Sequence, residues 1–206
     1  MKATIALCVA GVIMAGCATQ LSESEKQARA EKMFKEGFSK GNQVMAAQVV
    51  QQDEMQALCS KYQSGVPPEI AARIEKSQMA TIRYPASGGV MGDWREGEKI
   101  AQDGWGLRFT DTGQAERKNG GNCYACHQIT QAELSYGTLA PSLYHFGKSR
   151  GYTDDVRKYA YGKIYNADAY NACTSMPRFG HKGILTEQQI KDVTALLMDP
   201  DSPVNK

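Results

Sequence analysis

The chain has 206 residues, 42% hydrophobic and 22% charged, which is the make-up of one globular domain with a sizeable extension. Its formal net charge is +2 and no block of like charges stands out, so no nucleic-acid partner is expected. Six cysteines, at 8, 17, 59, 123, 126 and 173, carry most of the information.

At the N-terminus, Lys2 precedes an uncharged apolar stretch from Ala3 to Met14. That stretch is too short to span a bilayer and fits the apolar region of a secretory signal. The small residues Ala15-Gly16-Cys17-Ala18 read as a processing site. Cleavage after Ala18 is one reading. The other is cleavage before Cys17, because Met14-Ala15-Gly16-Cys17 resembles a bacterial lipobox, with Met14 where leucine is usual. This sets a signal over 1–16, makes Cys17 a lipidation candidate, and predicts a periplasmic protein under either cleavage.

Residues 21–60 are rich in Glu, Lys, Gln and Ala and predict helix. Ser22 or Ser24 is the expected cap, and Gly37 and Gly41 the interruptions. Val44, Ala47, Val50, Met55 and Leu58 keep rough helical spacing. After the break Gly65-Val66-Pro67-Pro68, Pro68 opens a helix expected from Glu69 to about Ile82. Pro85 to Gly89 is a stronger break and sets the expected boundary: a helical extension over 17–89, then a second domain over 90–206. In that domain Trp94–Gln102 predicts a helix that Gly104 and Gly106 end, followed by a polar loop, Thr110 to Asn122. Asp154–Lys163 predicts another helix. In the last one Thr186 is the N-cap, Gln189 completes a capping box, and Ile190, Val193 and Leu197 share a face before Pro200. No segment alternates as a strand does, so the fold class is all-α.

Cys123-Tyr124-Ala125-Cys126-His127 is C-x-x-C-H, the attachment signal of a c-type haem. Two thiols add across the two vinyl groups as thioethers, and the two-residue spacer sets the sulfurs at the right separation. The next residue, His127, then serves as an axial ligand to iron. A redox dithiol or half a zinc site also uses C-x-x-C, but no second cysteine pair completes zinc ligation and no βαβ pattern is present. One motif implies one covalently bound haem c.

Met176 is the first candidate for the sixth ligand, since it follows the motif at loop distance and Pro177 stiffens the chain after it. His145, His181, Met91 and Met198 are the alternatives. A His/Met pair fills the coordination shell, which favours electron transfer over catalysis at the iron, so no catalytic residue is assigned. The Pro141 carbonyl is placed to accept the His127 ring N–H. Tyr144, Phe146, Tyr161, Tyr165, Tyr170 and Phe179 are candidate haem walls; Lys148, Arg150, Lys163, Arg178 and Lys182 are candidates for a docking patch. With the other cysteines allotted, Cys59 and Cys173 remain as a disulfide candidate in an oxidising compartment.

These residues carry a family resemblance. Gly120 to His127, Leu139-Ala-Pro-Ser-Leu143, Tyr165-Asn166, Met176-Pro-Arg-Phe-Gly180, Ile184 to Gln188 and Asp199 to Asn205 resemble SoxX, the cytochrome subunit of the SoxAX thiosulfate-oxidation complex. The resemblance covers about 93–205 and implies a class I-like cytochrome c domain. It implies a heterodimer with a SoxA-like cytochrome that holds the catalytic haem. A SoxYZ-like carrier would be the substrate whose cysteine receives thiosulfate, and a downstream cytochrome the electron acceptor. Carried over by position, Cys123 and Cys126 bind haem, His127 and Met176 ligate iron, and this chain is the electron exit.

Overall fold

A computed structural model describes residues 21–37, 39, 41, 51–62, 65–114 and 116–206. The fold divides into two units at Gly37 and Phe38. The described part of the first unit is helix α1 (Glu23–Gly37), all of it exposed. The Ser22 hydroxyl accepts the Glu25 N–H at its start (3.3 Å), and Gly37 is its last residue.

The second unit holds α2 (Glu54–Lys61), α3 (Pro68–Met79), α4 (Trp94–Gln102), a 3-10 turn at Cys123–Ala125, α5 (Phe146–Arg150) and α6 (Asp154–Tyr165). A second 3-10 turn (Ala167–Ala169), α7 (Glu187–Met198) and a third turn (Pro203–Asn205) complete it. The described residues contain no strand, so the chain is all-helical, with a helical N-terminal region ahead of the haem-motif half. The boundary expected at 89–90 does not separate compact units, because α2 and α3 belong to the same unit as the C-terminal half. No described helix is long and apolar enough to cross a membrane.

Two helix ends differ from the sequence expectation. α3 stops at Met79 rather than Ile82, because the Thr81 hydroxyl (2.7 Å) and N–H (3.0 Å) both take the Gln78 carbonyl and turn the chain. α6 runs on to Tyr165, where the Asn166 N–H still reaches the Gly162 carbonyl at 2.8 Å. The capping box of α7 forms as read: the Thr186 hydroxyl takes the Gln189 N–H (3.3 Å), and the Gln189 side chain takes the Thr186 N–H (3.1 Å).

The core is the crossing of α4 over α7, with α6 packed beside them. Ala101, Tyr161, Ile190 and Leu196 are fully buried there. Gly97 lets the two helices touch: a Cβ at that position would overlap the Asp192 carbonyl of α7. The Asp192 carboxylate also accepts the Asp93 N–H (2.9 Å), which fixes the start of α4 against α7. The expectations for Val44, Ala47 and Val50 lie outside the described residues.

Candidate haem site

The motif is folded as a tight turn held from both sides. Asn122 enters it in the left-handed region (φ 49°), and the His127 N–H closes onto the Cys123 carbonyl at 2.9 Å. Upstream, the Gly121 N–H bonds to the Ile100 carbonyl (2.8 Å) and the Asn122 N–H to the Asp103 carbonyl (2.9 Å), which ties the turn to the end of α4. Downstream, the Gly137 N–H takes the Tyr124 carbonyl (2.8 Å) and the Ala140 N–H takes the Cys126 carbonyl (3.1 Å). A side chain at Gly137 would strike the Ala125 carbonyl, so this close return needs glycine.

Cys123, His127 and Met176 line one cavity of about 330 Å³. Its other walls are mainly apolar, among them Ile129, Leu143, Phe146, Ile164, Phe179 and Leu196. The Pro141 carbonyl lies 2.7 Å from His127 Nδ1. A carbonyl only accepts, so Nδ1 carries the proton and Nε2 keeps its lone pair for a metal. Burial pushes the Cys123 thiol up to about 12, as an apolar setting does. Cys126 is half-buried beside the turn and does not line the cavity. Two sulfurs on a turn, an imidazole with its outer nitrogen satisfied, a thioether and apolar walls form a donor set that fits haem. Among the described residues no three His, Cys, Asp or Glu side chains gather as a metal cluster, so nothing completes a zinc site around the two thiols.

The other ligand candidates stand elsewhere. His145 has left-handed backbone (φ 57°), stacks on Tyr144 (3.8 Å between centroids), and bonds through Nε2 to the Lys206 carbonyl (2.6 Å). Met198 is fully buried in the core, and Met91 packs against it. His181 is absent from the cavity wall, and burial followed by the nearby Arg178 and Lys182 charges lowers its pKa. Of the expected aromatic walls, Tyr144, Phe146 and Phe179 line the cavity while Tyr161, Tyr165 and Tyr170 do not; Tyr159, which the sequence reading passed over, does.

Around the Met176 loop the structure departs from the expected docking patch. Arg178 is 5% exposed and is a buried hub rather than a surface charge. Its Nη2 donates to Asp53 Oδ2 (2.6 Å), its Nη1 to Gln78 Oε1 (3.0 Å), and its Nε faces Asp168 Oδ2 at 3.8 Å. Lys182 joins at Asp53 Oδ2 (2.9 Å). Burial alone would raise the Asp53 pKa, but the Gln56 N–H, Lys182 and Arg178 outweigh it and hold the carboxyl at about 2. Asp168 goes the other way: burial raises its pKa against the opposing pull of Arg178. Arg150 and Lys163 line the cavity, and Lys148 is exposed and apart from it. Cys59 and Cys173 form a disulfide with Cα atoms 5.4 Å apart. Cys17 lies outside the described residues. No sequence signal marks Arg178 or Gln78 as partners, because 100 residues separate them.

Residues 108–199 match the family described as Cytochrome c. The chain is also 36% identical over 202 residues to a protein of Aquifex aeolicus (strain VF5) named "Uncharacterized lipoprotein", covering 96% of this chain and 94% of that one. The chain belongs to one family with that Aquifex protein and carries a cytochrome c domain, which implies covalent haem c and a role in electron transfer.

Proposed function

We propose that this chain is a monohaem electron-relay subunit with thioether links at Cys123 and Cys126 and with His127 and Met176 as axial ligands. The observation that carries the reading is that Cys123, His127 and Met176 line one apolar cavity, with His127 Nδ1 already bonded to Pro141. Bound haem supplies a one-electron couple between ferric and ferrous iron. Pro141 fixes the tautomer and direction of the His127 ring. Met176 offers a neutral thioether, which favours the ferrous state and a raised potential. The apolar walls exclude water and favour the less charged site.

The finer proposal follows the SoxX resemblance: the chain pairs with a SoxA-like cytochrome that performs the sulfur chemistry on a SoxYZ-like carrier, and passes electrons to a downstream cytochrome. Support comes from the residues shared with that family and from the helices α2 and α3, which a free shuttle would not need. Lipidation of Cys17 is part of the proposal; the lipobox-like Met14 to Cys17 and the name of the Aquifex relative both favour it.

The test is the optical spectrum of purified holoprotein, wild type and Met176→Ala, oxidised and reduced, with carbon monoxide added. We expect a weak band near ~700 nm in oxidised wild type, its loss in the variant, and carbon monoxide binding by the reduced variant alone. Carbon monoxide binding by wild type with the Cys59–Cys173 bridge intact would overturn the relay reading. Co-purification of a second haem protein with the tagged chain tests the heterodimer, and its absence after gentle extraction counts for an independent shuttle.

A further inference from the structure

The Met176 loop is gripped on both sides by one short helix. Three residues before Met176, Cys173 is bridged to Cys59 of α2. Two residues after it, Arg178 donates to Asp53, the N-cap of the same helix, and Lys182 donates to that carboxylate as well. Between the two grips the Thr174 N–H takes the Asp168 carboxylate (3.1 Å), and the Met176 N–H reaches only the Thr174 hydroxyl, at 3.4 Å. Helix α2 is itself weakly seated, since Met55 is its one buried residue. Its hold on the loop therefore rests on the bridge and the Asp53 ion pairs.

Met176 is also a partition. A second cavity, of about 510 Å³, lies under α2 and is lined by Met55, Cys59, Cys173, Met176, Arg178 and Lys182. Met176 lines this cavity and the haem cavity alike. Among the described residues, Met176 is the one that both linings share. Both cysteines of the bridge are half-buried, and Ser175 and Pro177 beside them are exposed, so a reductant has access to the bridge.

We propose that α2 is a redox-sensitive strap over the sixth-ligand loop. With the bridge closed, Met176 is held at the haem cavity. A dithiol supplies two electrons and two protons, the Cys59–Cys173 bond breaks to two thiols, and the dithiol becomes its own disulfide. The loop, then tied to α2 only through the Asp53 ion pairs, yields the sixth position to a small neutral ligand entering through the cavity under α2. The proposal rests on the reading of Met176 as the axial ligand.

The experiment follows carbon monoxide binding to the ferrous full-length holoprotein by its Soret change. Four proteins are compared: wild type with the bridge intact, wild type after dithiothreitol, the double variant Cys59→Ser, Cys173→Ser, and Met176→Ala. The two bridge-open forms should bind carbon monoxide about 30-fold faster than the closed form, equivalent to about 2 kcal/mol at 1.4 kcal/mol per factor of ten. Met176→Ala should bind fast whether or not the bridge is closed. If both bridge-open forms resist carbon monoxide as the closed form does while Met176→Ala binds it, the strap is refuted and the ligand reading stands. If Met176→Ala also resists, the ligand reading falls and the strap with it. Should the double variant fold poorly, dithiothreitol-treated wild type carries the comparison, with helix content at 222 nm as its check.

Discussion

Replacing Arg178 by methionine removes a cation from the interior while keeping an unbranched apolar stem. What is left behind determines the cost. Asp53 keeps Lys182 and the Gln56 N–H, and Gln78 Oε1 keeps the Asn166 side-chain N–H at 3.0 Å. Asp168 fares worse: its side chain is 4% exposed, and Arg178 is the charge that opposes its desolvation most. Breaking a buried pair so that one charge stays uncompensated costs about 3–5 kcal/mol. The retained Thr174 N–H on Asp168 (3.1 Å) places this case at the low end, about 3 kcal/mol. For a unit of this size that corresponds to a fall of roughly 6–12 °C in Tm. The pH dependence has a definite sign. Asp168 has a raised folded pKa, so its burial weighs on stability most when it is ionised and is relieved as pH falls. Without Arg178 that pKa rises further, so the gap between variant and wild type narrows from pH 7 to pH 4.5. Thermal melts of both holoproteins, read by circular dichroism, give the answer. A loss below about 2 °C at pH 7, or a gap that widens toward acid, would refute the reasoning.

Two further changes test the frame. Gly97→Ala puts a methyl group against the Asp192 carbonyl where α4 crosses α7, and should cost about 2 kcal/mol or more as overpacking, seen as a lower Tm with haem still attached. A melt within about 1 °C of wild type would show that the crossing relaxes freely. Thr186→Ala removes the acceptor for the Gln189 N–H at the start of α7 and should cost about 1 kcal/mol, measured by urea titration with an unchanged m-value.

Much of the frame was legible in the chain because its cause is local. C-x-x-C-H is a five-residue chemical requirement, so Cys123, Cys126 and His127 stand out without any knowledge of the fold. The capping box at Thr186 and Gln189 spans one turn, and the helix Trp94–Gln102 is ended by two nearby glycines, so both were read as the structure has them. The Cys59–Cys173 bridge came from elimination among six cysteines, and the His127–Pro141 bond from a short loop. What lay beyond reach depends on contacts between residues far apart in sequence. Arg178 is written like any surface arginine; only the packing of Asp53, Gln78 and Asp168 around it makes it a buried hub. The Pro85–Gly89 break reads as a domain boundary, yet Asn166 and Arg178 reach back across it to Gln78 and hold the helices in one unit. Five side chains were candidates for the sixth position, and tertiary structure decided which of them lines the cavity with His127, because cavity membership is set by how helices cross and not by any period along the chain.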